Sequence, residues 1–371
     1  MRITFRSQME RSTNEMLNTV TRAYTSTVSD PFDRGHEFGQ AHSADIARTV
    51  AVYTEVFRHK AGGRQPDLTE LGKLGMKAIE AWAPDLAEEI TGMAEGARLP
   101  VTDLAAVNAR TEILSYLGGV RESECSAVVL LGDDEDAPPV AVQTWDWMRQ
   151  MAAGWLVWTI PFPDGRVTTT LTEYGVVGKI GVNSSGLGLL FTRLHHDDDG
   201  ADGIGLPVHV AARRVLDECD SVTSAAYTLT TAPVTASSSL SLVSHGPGGN
   251  AAVTCELHPG GPGWTVPEDD GMLVHTNHFL DPRVVPSDPY PRLHPGTLIR
   301  RDQLRRGLRR HTAKPDAATV RKVMARHAGG VCHHTEPGHD DDHITLATVE
   351  LDLKNGEVRA TEGGPCGRRT W

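Results

Sequence analysis

The spacing of the apolar residues changes at Cys125, and this change constrains the fold more than any other feature of the sequence. Between residues 36 and 124, apolar side chains recur every three or four positions, which predicts amphipathic helices. From Cys125 to about residue 194, the chain consists of short β-rich runs such as CSAVVLL and WLVWTIPF, separated by turn residues such as those at 183–186. The sequence therefore predicts a helical region followed by an antiparallel meander.

The rest of the chain repeats this alternation. Helices are predicted at 207–230, 297–311 and 316–327, and strands at SSSLSLVSHG, NAAVTCELH and GMLVHTNHF. The chain ends in a predicted hairpin with Asn355-Gly356 as its turn. This order predicts an α+β fold with two antiparallel sheets and helices outside them. Residues 1–28 are polar, and we expect them to be an extension or an edge element.

The composition argues against several classes of function. The chain carries 36 lysines and arginines against 48 carboxylates, a net charge of −12, so most of its surface should repel nucleic acid and anionic membranes. It begins without the apolar run of a signal peptide, and no apolar segment reaches the roughly 18 residues of a membrane span. The five scattered cysteines fit neither a disulfide framework nor a CxxC zinc pattern. We therefore expect a cytoplasmic protein with reduced thiols.

Three places on the predicted strands carry residues suited to catalysis. Cys125 opens the first strand, although a lone cysteine there is more often a small core residue. Asp146 lies between two tryptophans, where a carboxylate either faces water from an edge strand or is held beside a polar partner, since burying it unpaired is costly. The polar run HTNH at 275–278 follows an apolar strand. This run is either a turn or a segment that places an imidazole or an amide donor beside a reaction centre.

Two further segments leave alternatives open. VCHHTEPGHDDDHITL at 331–346 suggests either a solvated polar loop or a metal site, but its spacing matches no zinc pattern, and we assign no metal ligands from it. The basic run RRDQLRRGLRR at 300–310 indicates either a solvated helix face or a dock for the phosphates of an acyl carrier. The candidate ligands in the first segment are Cys332, His333, His334, His339, His343 and the aspartates at 340–342.

Five segments, taken together, carry a family resemblance. They are NARTEI (108–113), ECSAVVL (124–130), QTWDW (143–147), TEYGVVGKIGVNSSGLG (172–188) and HTNHF (275–279). In order and approximate spacing they resemble the penicillin acyltransferase family, a cysteine peptidase group within the N-terminal-nucleophile hydrolases that also includes insect β-alanyl-amine hydrolases. The resemblance runs from about Phe32 to the C-terminus.

The resemblance implies a fold, a processing step and a set of site residues. The fold is a four-layer αββα sandwich in one domain, made of a helical propeptide or α-chain (1–124) and a catalytic β-chain (125–371) that stay associated. The precursor is expected to cut its own Glu124–Cys125 bond through an N-to-S shift. Cys125 then matches the nucleophile, Asp146 the carboxylate that orients it and its amine, and Asn277 the amide that stabilises the oxyanion.

Such a cut has a clear chemical use, because it places a free α-amine beside the thiol. The amine has an ordinary pKa of about 7.7–8.0 and the thiol one of about 8.5, so the amine can take the thiol proton near neutral pH. The chain departs from the family pattern at Thr144, where the family often has Asn, and at His333, where it frequently has Arg. His275 is a further supporting candidate.

The function expected from the sequence is an autoproteolytic N-terminal-cysteine hydrolase or acyltransferase that acts on a linear amide of a small molecule or peptide. Water at the Cys125 thioester gives hydrolysis, and an amine gives transfer. We expect no cofactor, with acyl-CoA as a candidate acyl donor, and neither nucleic acid nor membrane as a partner. The alternatives are a metal-dependent hydrolase that uses the 332–343 His/Asp cluster and a binding scaffold that never cleaves itself.

Overall fold

The computed structural model describes residues 22–118, 125–132, 134, 136–311, 313–334 and 343–367. Glu124, on the amino side of the expected cut, lies outside these residues, as do His339 and the aspartates at 340–342 of the candidate metal segment. Among the described helices, none has both the length and the hydropathy that a membrane span requires.

Thirteen described β-strands form two sheets. In chain order, β1 to β13 are Ala23–Thr25, Cys125–Leu130, Val140–Met148, Trp155–Pro161, Val167–Glu173, Ile180–Asn183, Leu187–Arg193, Ser238–Gly246, Gly249–Leu257, Gly263–Thr265, Met272–His275, His343–Asp352 and Glu357–Glu362. The larger sheet has the order β1-β4-β5-β6-β7-β8-β9-β10, and the smaller has the order β11-β2-β3-β12-β13.

The strand pairing is antiparallel, as predicted, with one exception. Strand β1 runs parallel to β4, with Ala23 opposite Val157. The expectation of two wholly antiparallel sheets is therefore wrong at this edge, and the helical N-terminal part also contributes a strand. The predicted C-terminal hairpin is confirmed, since β12 and β13 pair across a turn at 353–356 that contains Asn355-Gly356.

Eleven described α-helices complete the layers. In chain order, α1 to α11 are Pro31–Ala41, Ser43–Lys60, Leu68–Trp82, Pro84–Ala97, Val101–Asn108, Arg110–Tyr116, Val208–Glu218, Val222–Thr230, Tyr290–Leu293, Gly296–Leu308 and Ala317–Met324. Helices α7 and α8 pack on the larger sheet, while α10 and α11 pack on the smaller one. The two sheets contact each other between these helices, so the predicted α+β, four-layer αββα sandwich is confirmed.

The helices before Cys125 are joined to the sandwich by buried charges. The carboxylate of Glu89 on α4 accepts a hydrogen bond from Arg213 Nη1 on α7 at 2.8 Å and pairs with Arg34 on α1, and all three side chains are buried. Helices α1 and α4 approach so closely that a Cβ on Gly35 would lie 1.9 Å from the carbonyl oxygen of Glu89. These buried contacts tie helices α1 and α4 to helix α7, which packs on the larger sheet.

The two sheets are also joined by Gln143, which projects from β3 toward β7. Its side-chain amide donates to the carbonyl oxygen of Phe191, and its Oε1 accepts from the Phe191 N–H at 2.8 Å. Strand β6 stops pairing with β7 at Leu189, so Gln143 satisfies backbone groups that β6 leaves open. This contact sets the separation of the sheets directly beside Cys125, whose strand pairs with β3.

Candidate active site

Cys125 is buried at the first position of β2, with 4% of its surface exposed. It lies opposite Trp145 on β3, and residues opposite each other in antiparallel strands point to the same face. That face is directed toward the larger sheet, where Lys179 Nζ lies 4.4 Å from the centroid of the Trp145 ring. Cys125 therefore borders a small cavity between the sheets that is also lined by Lys179, Arg193 and His209.

Asn277 is in direct contact with Cys125, although 152 positions separate the two residues. The backbone N–H of Cys125 donates to Asn277 Oδ1 at 2.8 Å. Asn277 Nδ2 donates to the carbonyl oxygen of Arg193 at 3.0 Å, which engages one of its two hydrogens. Asn277 thus holds the nitrogen atom that a cut before Cys125 would turn into an α-amine.

Arg300 is the second side chain that holds the backbone around the Cys125 nitrogen in place. It is fully buried on α10, and its Nη1 donates to the carbonyl oxygen of Cys125 at 2.7 Å and to Ser126 Oγ at 3.1 Å. Its Nη2 donates to Asn277 Oδ1 at 3.0 Å. One guanidinium therefore links both ends of the Cys125–Asn277 contact, a geometry that the rigid fork of arginine suits.

Sequence reasoning missed Arg300, because it treated the basic run at 300–310 as one surface. Arg300 precedes Leu304 by one helical turn and Leu308 by two, and all three lie on the buried face of α10. This spacing was the available signal. Elsewhere in the run, Arg301, Arg305 and Arg309 pair with Glu268, and Arg306 pairs with Asp302. Those guanidinium groups already have carboxylate partners, which weakens their interpretation as a phosphate dock.

Asp146 lies on β3 next to Trp145, with 1% of its surface exposed. Strand β3 is between β2 and β12, so the interpretation of Asp146 as an edge residue facing water is wrong. Alternation along the strand places its carboxylate on the face opposite Trp145, and its carbonyl oxygen accepts from Cys125 Sγ at 3.9 Å. Asp146 is thus adjacent to the thiol through its backbone and acts on it through its charge.

Burial and charge make the thiol of the uncut chain a weak acid. Burial, followed by the charge of Asp146, raises the pKa of Cys125 to about 12, although Lys179 and Arg300 oppose this rise. Burial also lowers the pKa of Lys179 to about 8, despite the nearby Glu173 carboxylate. Since a thiolate is the reactive form of cysteine, a nucleophilic role for Cys125 would require a base, and the backbone nitrogen of the intact chain is not one.

Lys179 was not among the predicted site residues, although it falls within the TEYGVVGKIG segment. Its Nζ lies 3.5 Å from Glu173 Oε1, which also accepts from Arg110 Nη2 at 3.0 Å. The other Glu173 oxygen accepts from Tyr53 Oη at 2.7 Å. The local signal of this buried network was a lysine placed directly before the apolar strand β6.

His275 connects the two sheets, and no described hydrogen bond joins its side chain to Cys125. Its Nε2 lies 2.7 Å from Glu256 Oε1 on β9, and its Nδ1 lies 3.1 Å from Thr192 Oγ1 on β7. Glu256 also accepts from the backbone N–H groups of Leu280 and Asp281. His275 and Glu256 therefore tie the segment that carries Asn277 to the larger sheet.

Thr144 and His333 are the two departures from the family pattern, and both lie next to strand β12. Thr144 is opposite Ser126 and Thr348, and its Oγ1 has no hydrogen-bond partner among the described residues. The His333 carbonyl oxygen accepts from the Thr345 N–H, and the His333 N–H donates to Thr345 Oγ1; Thr345 is the residue opposite Asp146. Both therefore border the Asp146 side of β3, and neither contacts Cys125 through a described hydrogen bond.

Glu112, in the NARTEI segment, is a buried carboxylate whose ionisation should be visible in stability. Its Oε1 accepts from the Val208 N–H at 2.9 Å, and burial raises its pKa from 4.5 to about 7. Because the folded pKa exceeds the unfolded one, its contribution to stability is present at low pH and is lost as pH rises through 7. Glu112→Gln should therefore change stability little at pH 5 and increase it at pH 8, on the order of 2–3 kcal/mol.

Thermal melts from pH 5 to pH 8 measure this difference, and Glu80→Gln, at an exposed position of α3, is the matched control. Parallel Tm profiles for the wild type and Glu112→Gln would show that Glu112 is ionised in both the folded and the unfolded chain.

Two comparisons by sequence match the same kind of protein. The family model described as "Acyl-coenzyme A:6-aminopenicillanic acid acyl-transferase" matches residues 131–366, a range that begins just after Cys125 and includes Asp146 and Asn277. The acyl-coenzyme A:6-aminopenicillanic-acid-acyltransferase 40 kDa form of Emericella nidulans is 30% identical over 254 residues, which cover 67% of this chain and 67% of that protein.

Two solved structures are similar to part of this chain. The Caenorhabditis elegans ortholog of N-acylethanolamine-hydrolyzing acid amidase has a TM-score of 0.44 and 12% identity, covering 62% of this chain and 93% of that one. Penicillin V acylase from Agrobacterium tumefaciens has a TM-score of 0.39 and 18% identity, covering 64% and 83%.

Proposed function

The chain belongs to the acyl-coenzyme A:6-aminopenicillanic acid acyl-transferase family, and on this premise we propose that it is a self-cleaving enzyme whose Cys125 carries the acyl group. Membership of this family supports acyl transfer or amide hydrolysis as the reaction. The observation that carries the finer proposal is the contact of the Cys125 nitrogen with Asn277 Oδ1, secured by the Arg300 guanidinium.

Activation is proposed to proceed by attack of the Cys125 thiol on the carbonyl carbon of Glu124. The new S–C bond forms as the C–N bond breaks, and the released Cys125 nitrogen takes up a proton. Water then hydrolyses the thioester, leaving a carboxylate on Glu124 and a free thiol and α-amine on Cys125. The amine supplies the base that the uncut chain lacks, which overcomes the raised pKa of the buried thiol.

Turnover in this proposal uses the same groups. Asn277 Oδ1 accepts a hydrogen from the α-amine, so that the amine's lone pair is directed toward the thiol. The second hydrogen of Asn277 Nδ2 is available to a tetrahedral oxyanion, and such a donor is typically worth about 10²–10³ in rate. The Asp146 charge favours the protonated amine and opposes the thiolate, which tunes the proton transfer between them.

The two chains produced by the cut would remain associated through buried contacts on both sides of it. Asn108 Oδ1 accepts from the Val177 N–H at 3.0 Å, and Asn108 Nδ2 donates to the Gly175 carbonyl oxygen at 2.8 Å. The buried Arg110–Glu173 pair crosses the cut as well. Separating the chains would leave these charged and polar groups unpaired, at a cost of several kcal/mol for each buried ion pair.

The substrate proposed is a linear amide or acyl thioester, with acyl-CoA as a candidate donor. The acyl group would bind at the small cavity beside Cys125, where the rings of Trp145 and Phe191 offer apolar contact and Lys179 and Arg193 also line the wall. The choice between hydrolysis and transfer then depends on whether water or an amine reaches the Cys125 thioester first.

Acyl trapping tests this function. Freshly purified protein is analysed by denaturing intact mass, and the expected result is two fragments that divide at Glu124–Cys125. The protein is then mixed with an acyl-CoA or a linear acyl amide and quenched in acid. The 125–371 fragment should gain the mass of the acyl group, and neutral hydroxylamine should remove it. An uncut chain that gains no acyl group on prolonged incubation would favour a non-cleaving scaffold and contradict the proposal.

A further inference from the structure

Four side chains of types that can ligate a metal meet beside the smaller sheet, and the proposed acyl chemistry uses none of them. They are His327, Cys332, His334 and Cys366, and their ligand atoms all lie within 4.8 Å of one another. Three separate pieces of chain supply them. His327 begins the short 3-10 helix His327–Gly329, Cys332 and His334 follow in the next segment, and Cys366 lies in the turn after β13.

The donor set and its dimensions suit zinc. Two thiolates with two imidazoles are a common ligand set of structural zinc sites, with ligand atoms about 3.3–3.8 Å apart around a tetrahedral ion. The Nε2 atoms of His327 and His334 are 2.9 Å apart. Adjustments of about 1 Å or less at exposed and half-buried side chains would therefore place all four atoms around one ion.

The surroundings hold the cluster in place. Cys332 is buried, and a Cβ on Gly364 would lie 2.4 Å from its sulfur, so the absence of a side chain at Gly364 leaves room for the thiol. Between the two ligands Cys332 and His334, the His333 N–H donates to Thr345 Oγ1 at 2.9 Å, and its carbonyl oxygen accepts from the Thr345 N–H at 2.8 Å. Strand β12 thereby fixes the backbone on which two of the ligands sit.

We propose that His327, Cys332, His334 and Cys366 bind one zinc ion in a closed structural site. Four protein ligands leave no open position for a water or a substrate, so this metal would stabilise the fold and would not perform hydrolysis. The site would join the 327–334 segment to the C-terminal turn against β12, whose Thr345 lies opposite Asp146. The inference does not depend on self-cleavage.

This arrangement differs from the metal centre considered from the sequence. That centre drew on the 332–343 histidines and aspartates, whereas His327 and Cys366 lie outside it and His333 and His343 are not among the four ligands. His343 instead packs edge-on against Trp147, with ring centroids 6.0 Å apart. The separation of Cys366 from the other ligands explains why no zinc spacing was recognisable along the chain.

Metal analysis of the purified full chain tests the site. After incubation with zinc chloride and gel filtration, the wild type should retain about one zinc per chain. Cys366→Ser and His327→Asn should each weaken zinc binding by more than about 100-fold in a chelator competition. Cys219→Ser, at a buried cysteine outside the cluster, should bind as the wild type does. Cobalt in place of zinc should give the visible absorption of a tetrahedral thiolate site in the wild type and lose it in Cys366→Ser.

Three results would overturn the proposal. The wild type could fail to retain zinc after gel filtration. Cys366→Ser and His327→Asn could both bind zinc as tightly as the wild type. Intact mass under non-reducing conditions could instead show the loss of two hydrogens, which peptide mapping places between Cys332 and Cys366, and the pair would then be a disulfide. Because intact-mass analysis also reports the Glu124–Cys125 cut, failure of the zinc site and failure of self-cleavage are seen separately.

Discussion

Replacing Cys125 with alanine is expected to leave a single uncut chain and to reduce turnover to the assay background, at least about 10⁴-fold below the wild type. The loss should be this large because the proposed mechanism uses the Cys125 thiol twice, first on the carbonyl of Glu124 and then on the acyl donor. The α-amine that serves as the base also exists only after the cut. Denaturing intact mass measures the first loss, and initial rates with one acyl donor measure the second.

Cys219→Ala is the matched control, because Cys219 is also a buried cysteine and its sulfur lies 3.4 Å from Thr228 Oγ1, outside the candidate site. It should be cut and should turn over as the wild type does. Cys125→Ser retains a nucleophilic atom of weaker reactivity, so slow cutting over hours to days is expected. If Cys125→Ala were cut at the same bond, another group would have to be the nucleophile and the proposal would fail.

The sequence predicted the layers of this fold well, because periodicity reports burial. The change of period at Cys125 coincides with the start of β2, and the predicted C-terminal hairpin is present. Helix boundaries were less accurate. The region between 36 and 124 was predicted only as helical, and within it the helices Leu68–Trp82 and Pro84–Ala97 divide at Ala83. The φ of Ala83 is −140°, which is non-helical, because the residue before Pro84 is disfavoured in the helical region. The signal was present in the sequence as an Ala-Pro pair.

Pairings over long distances along the chain could not be read from local patterns. Strand β1 has only three residues, and its parallel partner β4 lies more than a hundred residues away. The contact between Cys125 and Asn277 was accessible only through the family resemblance, since nothing in HTNHF specifies which strand end it approaches. The same limit hid the cluster formed by His327 and Cys366.

The residues of the candidate site that sequence reasoning missed are buried basic side chains. Sequence reasoning treats an arginine or a lysine as a surface group, because such side chains are rarely buried without a partner. Arg300 and Lys179 are buried here, and each is held by polar partners that come from distant segments. Charged residues at apolar positions of a helix or strand therefore deserved more weight than the density of charge in the basic run.

Arg300→Lys is the substitution that separates positioning from charge. Lysine keeps the positive charge but lacks the planar fork with which Arg300 reaches Cys125 O, Ser126 Oγ and Asn277 Oδ1. Hydrogen bonds from a charged donor contribute about 1.5–3 kcal/mol each, so the loss of one or two should slow both the cut and kcat by roughly 10²-fold. KM should change only a few-fold, because Arg300 holds the nucleophile's backbone and does not line the cavity wall.

Arg306→Lys, on an exposed turn of the same helix, is the control and should leave the cut rate, kcat and Tm unchanged. Intact mass over time gives the cut rate of each variant, initial rates give kcat and KM, and a thermal melt shows whether Arg300→Lys remains folded. A folded Arg300→Lys protein with wild-type cutting and kcat would show that Arg300 serves the packing of α10 alone. A fall in kcat with an unchanged Tm would instead place its action on the Cys125–Asn277 contact, because a purely structural arginine would lower stability without selectively slowing the thiol.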